Sequence, residues 1–133
     1  LVHVPGGPVY QNALVFVGHS WSPSDQESDY LGSFIVEPKR HIKTWADLTD
    51  SEAEQIGKTI RDVSRALIRS EHAEHIYVFV LGHHVPHLHI WIVPRYRETT
   101  REYWGMRLFE WPYRPRGGDT ELEDICERIR SVF

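Results

Sequence analysis

Residues 86–95, Pro86-His87-Leu88-His89-Ile90-Trp91-Ile92-Val93-Pro94-Arg95, restrict the fold of this chain more than any other stretch. Branched and aromatic residues run without a turn residue until Pro94, which reads as a β-strand. Side chains alternate across a strand, so His87, His89 and Trp91 share one face while Leu88, Ile90 and Ile92 share the other. The apolar face requires a hydrophobic layer behind it. The opposite face presents two imidazoles and an indole N–H, spaced about 6–7 Å apart. A lone histidine on a strand is ordinarily a bystander. Here His83 and His84 stand just upstream, and four of the nine histidines fall within residues 83–89, which points to a site.

The 133 residues suit one domain spanning residues 1–133, with a core in 9–95, a connection over 96–118 and a final helix over 119–133. A net charge of −4 gives no field that would draw in nucleic acid. The single cysteine, Cys126, excludes an internal disulfide framework and suits a reducing compartment, so a cytoplasmic location is expected. No apolar run approaches the roughly 18 residues of a membrane helix, and no signal-peptide pattern opens the sequence, so no membrane partner is expected.

In chain order, residues 1–8 are a Gly/Pro lead-in. Residues 9–17 hold an apolar strand with a bend at Gln11-Asn12, residues 18–30 a polar loop, and 31–36 a second strand ended by Pro38. Thr49-Asp50-Ser51-Glu52 has the form of a capping box, and Ala53, Ile56, Ile60, Val63 and Leu67 then recur as one buried helical stripe. Residues 75–81 form a strand that pairs antiparallel with the histidine strand. Residues 95–118 carry six arginines interleaved with Tyr96, Tyr103, Trp104, Phe109, Trp111 and Tyr113. Such a segment either stacks a base and grips phosphate, or wraps the domain or a second subunit. Asp119 or Thr120 caps the last helix, whose stripe is Leu122, Ile125, Ile129 and Val132, with Cys126 beside it as a small core residue.

A neutral imidazole nitrogen attacks phosphorus well and leaves a phospho-histidine that water can open. A second histidine two positions away can hold the first in the correct tautomer, and His83, His84 and the backbone N–H groups around Gly82 can face phosphoryl oxygens. The alternative is a metal-dependent enzyme using His83, His84, His87 and His89. Against it, the spacing matches no well-marked zinc pattern, and no nearby cysteine or carboxylate completes a ligand set. The expectation is therefore no metal and no cofactor.

The stretch His87-Leu88-His89-Ile90-Trp91 with its Pro94-Arg95 ending resembles the signature of the histidine triad (HIT) superfamily. A second segment, Leu31-Gly32-Ser33-Phe34-Ile35-Val36-Glu37-Pro38-Lys39-Arg40-His41 followed by Asp47-Leu48-Thr49-Asp50-Ser51-Glu52, is similar to another part of that family's pattern. The resemblance implies an α+β domain, with an antiparallel sheet of about five strands, one long helix and a C-terminal helix. It implies a homodimer, and hydrolysis or transfer of nucleotides through a nucleotidyl-histidine. His89 would be the nucleophile and His87 its orienting neighbour. His83 and His84 would contact phosphate, Trp91 would border the leaving group, and Ser33 and His41 would lie at the substrate. Trp91 stands where the family's third histidine falls and cannot act as an acid. Ser33 replaces a histidine, and Gly18 or His19 falls where an acidic residue often grips the ribose. The ligand is expected to be a nucleotide or a related phosphorylated metabolite or phosphoramidate. The competing expectation is a non-catalytic module that keeps the pocket.

Overall fold

The computed structural model describes residues 5–21, 30–80 and 87–133. Five strands, β1 (Pro8–Gln11), β2 (Val15–His19), β3 (Phe34–Pro38), β4 (His75–Phe79) and β5 (Ile90–Arg95), form one antiparallel sheet in the order β1-β2-β3-β5-β4. Helix α1 (Asp50–Glu71) and helix α2 (Asp119–Val132) complete an α+β fold. Among the described residues no helix is long and apolar enough to cross a membrane.

The bend expected at Gln11-Asn12 falls at a hairpin whose turn is residues 12–14, just after Gln11 ends β1, so residues 9–17 hold the facing ends of two strands. Asn12 Oδ1 accepts from the backbone N–H of Leu14 and Val15 at 2.8 and 3.0 Å, a side-chain mimic of a backbone turn that reverses the chain. The second strand starts later than residue 31 because Gly32 adopts φ +100°, a left-handed conformation that no strand residue takes. Helix α1 begins as expected. Thr49 Oγ1 accepts from Glu52 N at 3.2 Å, and the Glu52 carboxylate accepts from Thr49 N at 2.9 Å. Its buried stripe differs from the expected one: Ala53 is exposed and Ile60 half-buried, while Glu52, Thr59 and Ala66 join Ile56, Val63 and Leu67 inside. In α2 the N-cap is Gly118 rather than Asp119 or Thr120, and Val132 lies off the buried stripe.

The sheet has two covered faces. On one, Val15, Val17, Phe34, Val36, Ile90 and Ile92 pack against α1 and α2. Hydrophobic burial of this kind is the main favourable term in folding. On the other, the connection after β5 folds back as two short 3-10 helices and inserts Leu108 beside Tyr30 and Val93, with Trp91, Tyr77 and Phe109 packed around them. Arg95, Arg101 and Arg107 stack on the chain's own aromatics. Arg95 lies 3.6 Å over the Trp104 ring, and Arg107 lies 5.3 Å over Tyr103. The segment thus wraps its own sheet, the plainer of the two expectations.

Candidate functional site

Alternation at the start of β5 builds the site. Leu88, Ile90 and Ile92 are buried in the core, while His87, His89 and Trp91 on the opposite face are half-buried. The ladder to β3 ends at the pair Val36↔Ile90, so the strand begins four residues later than Pro86. Pro38 has no N–H to continue the ladder. Instead Leu88 N donates to Ile42 O at 2.8 Å, and the Pro38 carbonyl accepts from His87 Nε2 at 3.0 Å. A carbonyl only accepts, so that contact puts the His87 hydrogen on Nε2 and leaves Nδ1 with a lone pair when the ring is neutral.

The same register sets Glu37 of β3 beside His89. Its Oε2 lies 2.7 Å from His89 Nε2, with the two side chains 21% and 27% exposed. Glu37 is the site residue that sequence reasoning missed. Its alternation with Ile35 puts it on the histidine face, but only strand pairing shows that it meets His89. It also corrects the expectation that no carboxylate stands near the histidines: ligand atoms of Glu37, His87 and His89 all lie within 4.8 Å of one another.

The imidazoles form a row. The His87 and His89 rings are 5.4 Å apart, and the exposed His41 ring is 4.8 Å from His87. The turn carrying His41 is anchored, because Arg40 donates to both Glu52 carboxylate oxygens and to Asp47 O. Those bonds, together with the Thr49 N–H, hold the Glu52 carboxyl at about 2, well below the usual carboxylate range. Trp91 meets Phe109 edge to face at 6.2 Å, which sets its indole at the margin between the histidine row and the folded-back connection.

Other candidates fall elsewhere. Ser33 is fully buried and its Oγ has no hydrogen-bond partner among the described residues, so its hydroxyl is not presented to a ligand. His19 is a core residue: Nδ1 donates to Ser20 O at 2.8 Å and Nε2 accepts from Gly32 N at 2.9 Å. Burial pulls its pKa down to about 4, so it is neutral and fully satisfied. Arg95 is also turned inward, with Nη1 donating to Tyr77 Oη at 2.7 Å. Burial pushes the Cys126 thiol up to about 11, an unreactive state in keeping with a packing role. His83, His84 and Gly82 lie outside the described residues.

The row of half-exposed imidazoles with one carboxylate is equipped to attack an electrophilic centre and to move a proton at the point of attack. Residues 8–98 match the HIT domain family. By structure, the chain is similar to a histidine triad (HIT) protein from Sinorhizobium meliloti, with a TM-score of 0.74 and 19% identity over 97% of this chain and 90% of that one. It is similar to a HIT-like protein involved in cell-cycle regulation from Bartonella henselae, with a TM-score of 0.73 and 19% identity over 98% and 88%. A hypothetical histidine triad nucleotide-binding protein from Sulfolobus tokodaii aligns with a TM-score of 0.72 and 17% identity over 97% and 84%. Comparison with curated proteins gave no match.

Proposed function

The chain belongs to the HIT domain family, and from that premise we propose that it hydrolyses or transfers a nucleotide, or a related phosphate ester or phosphoramidate, through a covalent bond to His89. One observation carries this reading: the half-exposed His89 ring is bonded through Nε2 to the Glu37 carboxylate. Starting from an ion pair, with both His89 nitrogens protonated and Glu37 ionised, Nε2 passes its hydrogen to Glu37 and attacks phosphorus with the freed lone pair, while Nδ1 keeps its own hydrogen. As the bond to the leaving group breaks, Glu37 hands that proton to the departing atom. In the second half, Glu37 takes a proton from water or an acceptor hydroxyl, whose oxygen displaces His89 from phosphorus. The electron pair returns to Nε2. Glu37 thereby supplies the proton transfer that an indole at position 91 cannot.

In this reading His87, held by the Pro38 carbonyl, aligns its neighbour. His41, His83 and His84 contact phosphoryl oxygens, and Trp91 borders the leaving group. Ser33 has no part, since its side chain is buried. The working form is a homodimer in the cytoplasm, a reducing compartment that the single buried cysteine suits.

The test is direct. The protein is incubated with nucleoside polyphosphates and with nucleoside phosphoramidates, quenched in base, and the peptide containing His89 is weighed. A nucleotidyl adduct on His89, absent from His89→Gln, is the expected result. Binding of nucleotide with neither adduct nor turnover would establish the non-catalytic module instead.

A further inference from the structure

We propose that Glu37, His87 and His89 form a binding site for one zinc-class divalent cation, and that a bound cation shuts off covalent chemistry at His89. The second half rests on the proposed function; the first stands on geometry alone. Two imidazoles and one carboxylate are a donor set suited to zinc and its neighbours, leaving a position open for water or an anion. All three side chains are half-buried, and their ligand atoms are already gathered within 4.8 Å of one another. The 2.7 Å between His89 Nε2 and Glu37 Oε2 corresponds to an angle of about 80° at an ion bonded at about 2.1 Å. Bonds of that length let two ligands stand about 4.2 Å apart at most, so a small contraction completes the set.

His87 supplies an independent sign. A metal-bound histidine ordinarily donates its other ring N–H to a carbonyl or carboxylate, which fixes the ring and its tautomer. His87 makes that bond, from Nε2 to Pro38 O at 3.0 Å, which leaves Nδ1 of the neutral ring unprotonated and able to take a cation. The cation would replace the hydrogen shared by His89 and Glu37. It would therefore occupy the two atoms that the reaction needs free, so loading and phosphorus attack exclude each other.

Metal-free protein is titrated with Co²⁺, followed by its visible d–d absorption, and the Co²⁺ is then displaced with Zn²⁺. The site requires one ion per chain, with affinity reduced at least tenfold in both Glu37→Gln and His87→Gln. His75→Ala, which removes an exposed imidazole of β4 outside the set, leaves affinity unchanged. Equal affinity in wild type and Glu37→Gln overturns the site. Exclusion is read by ethoxyformylation of His89 in peptide mass spectra: Zn²⁺ should protect that ring in wild type and not in Glu37→Gln. Unprotected His89 in loaded protein overturns the exclusion. Where nucleotide is also turned over, Zn²⁺ should slow it and a chelator restore it. Ion binding with no adduct from any nucleotide, metal-free or loaded, would sink the proposed function and leave the site standing.

Discussion

A carboxylate beside a nucleophilic nitrogen opposes an incoming phosphoryl group unless it carries the proton at the moment of attack, and this makes Glu37 the residue to change first. Glu37→Gln keeps the size and a hydrogen bond but carries no proton. Adduct formation on His89 should slow by about 10²–10⁴-fold, the usual worth of a general acid–base group, with nucleotide affinity little changed. Rapid-quench labelling with equilibrium binding in parallel measures both, and an unaltered labelling rate would remove Glu37 from the mechanism. His19 yields a second expectation. Its pKa falls from 6.5 to about 4 on folding, so the unfolded chain binds the proton first as pH drops. Stability from this residue is complete above pH 6.5 and is lost as pH falls toward 4, by on the order of 2 kcal/mol between pH 7.5 and 5. Urea melts of wild type against His19→Gln at those two pH values isolate the effect, which should vanish in the variant. Position 19 also shows where sequence reading stops. His87, His89 and Trp91 were legible because alternation is local, whereas the buried role of His19 and the meeting of Glu37 with His89 depend on partners 13 and 52 residues away in the chain.

Among the elements, those with a local chemical signature were placed well and those defined by distant contacts were not. The capping box at Thr49 fixes the start of α1 because both of its hydrogen bonds lie within one turn. The hairpin of β1 and β2 was half visible, since Asn12 marks a turn but Pro8–Gln11 is too short and polar to read as a strand. Residues 96–118 were the least legible, because their arginines fit phosphate as well as they fit tryptophan. What decides between these is Leu108, buried between Tyr30 and Val93 at the base of the folded-back segment. Leu108→Ala should cost about 2–5 kcal/mol, as for other buried leucines. Loosening this segment should also free Phe109 from Trp91, and so raise protease cleavage within 96–118 and change Trp fluorescence. Equal cleavage in the variant and wild type would show that the segment is held by its Arg–Trp stacks instead.

At the scale of the molecule, the sheet divides the labour: one face is closed by two helices, and the other carries the histidine row and the wrapped connection. Its β4 edge is different. Val78 and Val80 continue the core-side series begun by Ile76, yet they are 45% and 38% exposed, and Ile68 on α1 is 50% exposed. Among the described residues β4 pairs only with β5, and an apolar edge strand invites a further strand, which soluble proteins ordinarily blunt with charge or cover. A second copy meeting β4 through its own β4 would extend the sheet and bury these residues by symmetry. Val78→Lys places a charge on that edge without touching the histidine face, so it should convert a dimer of wild type into a monomer in sedimentation equilibrium. Far-ultraviolet circular dichroism should stay unchanged, and the ion titration at Glu37, His87 and His89 should be retained. A wild type that sediments as a monomer at every concentration would overturn the dimer and leave the β4 edge without an occupant.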